Sequence, residues 1–316
     1  MTPLAPGQIS LRLYPHRLPP VEMVEQMLAQ ARVAERAGWD GLMTSEHHGG
    51  FPDYVPNPLQ LAGWLLETTD RIWAAACPLL LPLYAWSHVA EQVAWLAARF
   101  PERVGVGVAV GGLAQDFEMA GLDYEDRGAV FRASLPRLAE ALRGEAQSPL
   151  SEDAAIAATR ARPIPVVSAA QGPKAVARAA AAGTGVLFDS LQTLVRMRAL
   201  CDAYEEAGGS GPRIAIRRVW LGPAPSEEVA EQMDFYRSYA PEAAQEHWGD
   251  GQQMIAAESA EEVAAGLLRV AREGGADAFN LRVHVKGIEP ARVDEQIARV
   301  GEELLPILRQ ELVATR

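Results

Sequence analysis

The stretch Gly41-Leu42-Met43-Thr44-Ser45-Glu46-His47-His48-Gly49-Gly50 carries a short apolar run into three consecutive ionisable side chains and then into a Gly/Pro-rich loop. Imidazole titrates near neutrality, so His47 and His48 are candidates for general acid–base work, with Glu46 to orient or charge them. A shared metal ion is not expected, because successive residues of extended chain point to opposite faces and no HExxH spacing occurs. The plainer alternative is a packed histidine with one satisfied hydrogen bond, and the residues alone do not separate it from proton transfer.

A second stretch, Ala169-Ala170-Gln171-Gly172-Pro173-Lys174, joins an apolar run to a helical one with Gly and Pro at the turn. Backbone N–H groups at a helix start, the helix dipole and Lys174 would suit a phosphate. A tight turn with a surface lysine reads equally from the same residues. Gly105-Val106-Gly107 sits inside a strand and does not continue as GxGxxG, so it is no dinucleotide fingerprint. Those glycines leave room for a flat ligand ring or relieve crowding. Asp116-Phe117, Arg127 and Phe131 follow the same strand, Arg127 being an anion ligand or a solvated helix residue. Further on, Tyr236, Tyr239, His247 and Trp248 could form a lid or an interface.

Alternating and all-apolar runs of strand length take turns with stripes of helical spacing. Strands are expected at 9–14, 39–45, 71–81, 103–110, 164–170, 186–188, 214–221 and 277–285. Helices are expected at 21–37, 59–66, 89–100, 126–143 (with a kink or break at Pro136), 173–182, 191–206, 226–239, 242–254, 259–272 and 290–312. Eight strands each followed by helix make an α/β chain with the (β/α)8 pattern, a TIM barrel with insertions at 144–161 and 222–258, the largest after strand 7. One domain over 1–316 is expected; an open doubly wound sheet is the alternative topology. In the barrel the strand ends meet at one mouth, bringing Tyr14, His16, Glu46-His47-His48, Gly111-Gly112, Ala170 to Lys174, Asp189, Trp220, His284 and Lys286 together. Trp64, Trp73, Trp86 and Trp95 are expected in core or rim packing.

The chain has 316 residues, 49% apolar, with 29 Lys+Arg against 41 Asp+Glu and a net charge of -12. That balance disfavours a nucleic-acid or anionic-membrane partner. Two cysteines, Cys77 and Cys201, give neither a disulfide framework nor zinc spacing and suggest a cytoplasmic setting. The N-terminus lacks a signal-peptide pattern, and the longest apolar run, 74–86, is too short to span a bilayer.

In order along the chain, Glu46-His47-His48 with Pro56-Asn57-Pro58, Leu81-Pro82-Leu83 with Ala90-Glu91-Gln92, Arg103 to Gly112 with Asp116-Phe117, Ala170 to Lys174, and Leu304 to Arg309 together resemble the bacterial luciferase-like monooxygenases. The resemblance covers about residues 8–312. It implies a barrel that binds a flavin or deazaflavin, with His47 facing the reactive ring in proton transfer beside Glu46 and His48. It places Cys77, Pro78, Gly107 and Ala109 on the cofactor side and Ala170, Gln171, Gly172, Pro173 and Lys174 at the phosphate. A cis bond at Cys77-Pro78 is implied as well. The activity implied is oxygenation of a small organic substrate by O2 and reduced FMN from a separate reductase, in a homodimer. The alternatives are deazaflavin-dependent hydride transfer and a non-catalytic flavin-binding protein; few lysines to meet a polyglutamate tail favour FMN. Val110 stands where some members place an arginine, Tyr84 to His88 replace a usual His-Pro, and Ser134 stands near the place of a common glutamate.

Overall fold

A computed structural model describes residues 2–240, 245–246, 248 and 254–314. The strands are β1 (Ile9–Arg12), β2 (Gly41–Thr44), β3 (Trp73–Leu80), β4 (Val104–Ala109), β5 (Val166–Ala169), β6 (Gly185–Phe188), β7 (Arg213–Leu221), β8 (Met254–Ala257) and β9 (Ala278–Arg282). All pairings between them are parallel, and β1 to β7 close through β9 onto β1. The result is an eight-stranded barrel with helices between the strands, as the alternation of elements predicts.

The ninth strand was not expected. Met254 to Ala257 pairs with Arg218 to Leu221, the outer half of β7, while Ile214 to Arg218 pairs with β9. The helix Ser226–Tyr239 separates β7 from β8 and the helix Ala260–Gly274 separates β8 from β9, so this extra strand of the insertion stands outside the barrel count. The helix expected over 242–254 ends differently, since Met254 opens β8; most of that range lies outside the described residues.

The helix over Arg127–Leu142 runs through Pro136 without a break. A proline inside a helix costs about 3 kcal/mol. Here the buried face of Phe131, Leu135, Leu138 and Leu142 holds the helix on the barrel wall against that cost. The 144–161 insertion carries two short turns of helix, Leu150–Glu152 and Ala154–Ala158. Trp73 is buried at the barrel floor, but Trp64 and Trp95 are 42% and 57% exposed, so they are not core residues.

Two layers fill the barrel. Its lower part is a plug of Leu4, Met43, Trp73, Ala75, Cys77, Val167, Leu187, Ile214 and Ala278. Higher up the same alternating positions become polar: Ser10 and Arg12 on β1, Arg218 on β7, Asn280 and Arg282 on β9, all buried. The sheet register sets Ser10 beside Asn280, Leu11 beside Leu281 and Arg218 beside Arg282. Arg12, Arg282 and Arg218 thus form one row across three adjacent strands. Barrel interiors are usually filled by branched apolar residues, so the row marks the start of the mouth.

Candidate active site at the barrel mouth

Strand β2 ends at Thr44, and Glu46 to His48 turn over the rim of the barrel. The three side chains go to different places. His47 Nδ1 lies 2.8 Å from Asp116 Oδ2, and the His48 backbone N–H donates to Asp116 Oδ1 at 2.8 Å. His48 Nε2 lies 2.9 Å from Glu46 Oε1. Glu46 also accepts from the Leu80 backbone N–H at 2.5 Å and from the Tyr84 hydroxyl. Burial raises the Glu46 carboxyl above its ordinary value, and the Tyr84, Leu80 and His48 bonds pull it back down. Glu46 and His48 therefore tie the rim of β2 to the end of β3.

Asp116 is 1% exposed, in the first turn of the helix Ala114–Ala120. An ionised carboxylate only accepts, so Asp116 fixes the proton on His47 Nδ1 and leaves Nε2 with its lone pair free. Among the described residues no hydrogen bond uses that nitrogen. The ring is held from the sides by Tyr54 and Phe51, with centroids at 4.5 and 4.7 Å.

His47 lines a cavity of about 570 Å³ together with Pro78, Leu80, Ala109 to Leu113, Gln171, Gly172 and Ala175. The Cys77-Pro78 bond is cis. A Cβ added at Gly112 or Gly172 would meet nothing within 4 Å, which leaves backbone open to a ligand on two sides. Gly111, with φ at +87° and Phe117 2.8 Å from where a Cβ would sit, makes the turn that delivers the Asp116 helix.

The other residues singled out in the sequence lie at varying distances from this cavity. Pro78, Ala109, Gln171, Gly172, Glu46 and His47 line it; Ala170, Pro173, Lys174 and His48 do not, Ala170 being buried in the core. Gly107 and Cys77 lie beneath the floor, where a Cβ on Gly107 would come 2.1 Å from Cys77 Sγ. The narrow strand relieves crowding there. Burial pushes the Cys77 thiol up to about 12, so it stays protonated. Arg127 stacks on Tyr124 at 3.5 Å and is no anion ligand in this arrangement. At the helix start Pro173–Ala181, Ala175 and Val176 N–H both close on the Gly172 carbonyl, so fewer N–H groups are free than the turn suggests.

A smaller chamber of about 240 Å³ adjoins the cavity, lined by Tyr14, Ser190, Tyr236, Trp248 and Arg282 and sharing Arg12, Tyr54, Asp189, Tyr239 and Ala240 with it. Tyr236, Tyr239 and Trp248 of the insertion thus face the mouth; His247 lies outside the described residues. Burial alone would raise the Tyr14 phenol, but the Arg12, Arg282 and Arg218 charges bring it down to about 7. Arg12 Nε donates to its oxygen at 2.9 Å, and the Arg282 guanidinium lies 3.9 Å from its ring centre. Counting lysines understated the positive charge near the mouth, because arginines supply it. His284 is held neutral by burial and by Arg282.

The model of the luciferase-like monooxygenase family matches residues 6–304. The chain belongs to that family. Luciferase-like monooxygenases are oxidoreductases that use a flavin or the deazaflavin F420. Monooxygenase RslO1 from Streptomyces bottropensis superimposes with a TM-score of 0.77 at 18% identity, covering 95% of this chain and 99% of that one. The oxygenating constituent of 3,6-diketocamphane monooxygenase from Pseudomonas putida, solved with FMN, gives 0.77 at 15% identity over 95% and 98%. In sequence, the F420-dependent glucose-6-phosphate dehydrogenase of Tsukamurella paurometabola is 27% identical over 204 residues, 59% of this chain and 58% of that protein. The matches span under two thirds of the length of the curated relatives.

Sequence reading missed Asp116 as a partner of His47 and missed the arginine row. Asp116 had a signal, an acid in the first turn of a helix leaving a strand end. The arginines also had one, the period-two alternation of Ser10 with Arg12 and of Asn280 with Arg282.

Proposed function

We propose that this luciferase-like protein uses reduced FMN and O2 to oxygenate a small organic substrate, with Pro78, Leu80 and Ala109 to Gly112 among the residues that would hold the cofactor. The observation that carries the reading is the His47–Asp116 pair, which occupies Nδ1 of a histidine lining the 570 Å³ cavity. Bound FMN supplies the electrons and the oxygen chemistry. The chain's own residues bind, orient and move protons. His47, oriented by Asp116, accepts or returns a proton at Nε2. Tyr54, Phe51 and Tyr239 cover it and exclude water.

The phosphate end fits the start of the Pro173–Ala181 helix. Arg196 donates through Nη2 to the Gln171 carbonyl at 2.9 Å, and its Nε is buried with no hydrogen-bond partner among the described residues. That orphaned donor, with Lys174 exposed nearby, suits a phosphate ester. Cys77 and Gly107 support the floor from below. A separate reductase would supply reduced FMN to a cytoplasmic enzyme folded as one domain. Exposed Trp64 and Trp95 on neighbouring helices support a homodimer, which sedimentation tests.

The test is to mix the protein with reduced FMN or reduced F420 and follow spectra under air and under nitrogen. Binding and air-dependent oxidation with FMN are expected. Binding of F420 alone would replace this reading by hydride transfer, which the relative from Tsukamurella favours.

A further inference from the structure

We infer that the smaller chamber seats an anionic group of the substrate, a carboxylate or sulfonate, held by the guanidinium row of Arg12 and Arg282. The inference rests on the larger cavity being the cofactor's seat.

Three adjacent strands each place an arginine in one layer of the barrel, at Arg12, Arg282 and Arg218, where like charges face one another out of water. Such an arrangement costs several kcal/mol per ion unless something compensates it. No ion pair among the described residues involves Arg12 or Arg282. The partners of Arg12 are the Tyr14 phenol at 2.9 Å, which the arginine charges bring down to about 7 against burial, and three neutral groups: the Cys77 carbonyl at 3.2 Å, Asn280 at 2.9 Å and the Ser45 hydroxyl. Arg282 donates to the His284 carbonyl at 2.8 Å and to the Tyr236 hydroxyl at 2.6 Å. With the Gln232 amide oxygen turned toward it, Nη2 donates there at 2.7 Å. A guanidinium has five N–H groups, so each arginine keeps at least one for a ligand.

The acids nearby do not balance the row. Asp189, at the chamber wall, is raised by burial, and its Oδ1 is used by the Leu191 N–H. Asp53 shares its field among Arg282, Arg17, Lys286 and His16. Two guanidinium groups, Arg12 and Arg282, line the chamber against one carboxyl, Asp189. Its walls include four further aromatic rings, Tyr54, Tyr236, Tyr239 and Trp248, with Leu191 and Ile216, suited to a single ring behind the anion. Because Arg12, Tyr54 and Tyr239 line both spaces, a substrate anchored by its anion extends from the chamber toward His47.

Isothermal titration of the full chain without flavin, with benzoate, benzenesulfonate and the neutral isostere benzamide, tests this. At least one anion should bind ten-fold or more tighter than benzamide. In Arg282→Gln that preference should fall below two-fold, while Arg99→Gln, a surface control, keeps it. Equal affinities for benzoate, benzenesulfonate and benzamide on the unaltered protein would overturn the inference without any variant having to fold. Loss of the anion's binding when reduced FMN saturates the protein under nitrogen would assign the arginines to the cofactor's phosphate and also overturn it. If reduced FMN does not bind while the anion preference persists, the flavin reading fails and the anion site stands.

Discussion

Asp116 Oδ2 sits 2.8 Å from His47 Nδ1, across two loops that leave different strands, and this contact leaves Nε2 as the nitrogen without a hydrogen bond among the described residues. Asn in place of Asp116 would present an amide that can donate to Nδ1 and so invert the tautomer. Turnover of Asp116→Asn should drop about 10²-fold, with His47→Ala at least as low, from the usual contribution of a positioned acid–base. Flavin affinity should change little in either. Steady-state rates beside a flavin titration check this, and an unchanged rate in His47→Ala removes it from the mechanism.

The Tyr14 phenol, brought from its ordinary 10 down to about 7, links folding to pH. A group with a depressed folded pKa stabilises the protein above its unfolded pKa and loses that contribution as pH falls through the folded one. The stability difference between wild type and Tyr14→Phe should therefore grow in favour of wild type from about pH 7 to 10. Urea unfolding across that range, with tyrosinate absorbance titrated in parallel, measures it. Absence of a tyrosine step near pH 7 in wild type counts against the arginine field acting on Tyr14.

Gly107 and Cys77 share one volume beneath the floor, 2.1 Å separating Sγ from where a Cβ would stand. Gly107→Ala should cost about 1–3 kcal/mol by overpacking. Cys77→Ala in the same chain should restore part of it, since residues in contact couple. Denaturant midpoints of the two single variants and the double variant give the coupling; strict additivity would show that the backbone absorbs the methyl elsewhere.

Arg196→Ala should weaken FMN about ten-fold, the loss of about 1.4 kcal/mol, while leaving riboflavin binding as it was. Riboflavin has no phosphate, so equal losses for both flavins would move the phosphate away from the start of the Pro173–Ala181 helix.

Much of the barrel was legible because each barrel strand is short, apolar and followed by an amphipathic helix, the pattern that period-two and helical spacing report. What hid the ninth strand is its dependence on a partner: Met254 to Ala257 is strand because the outer half of β7 offers an edge, a long-range fact that local pattern does not hold. Pro136 misled for a similar reason, its helix being held by Phe131, Leu135 and Leu138 against the barrel. The place of His47 just beyond a strand end was readable, but its partner Asp116 lies 69 residues away in sequence and only folding brings the two together. Charge inside the barrel went unread because arginines at alternate positions of β1, β7 and β9 resemble the outward polar residues of a half-exposed sheet.

At Arg218 the strand β7 has Arg282 on one side and Met254 on the other, and at Ala215 it has Phe279 and Phe188. Short β6 and the strand from the insertion therefore succeed one another along the same edge of β7, like two tiles on one batten. A chimera that exchanges the segment after β7 for that of another barrel would strip residues 218–221 of their cover and leave bare N–H and C=O groups, an invitation to intermolecular pairing. Grafts that seek a new substrate preference have a natural boundary at Met254: the sequence before it can be traded, and the four residues from it belong to the wall.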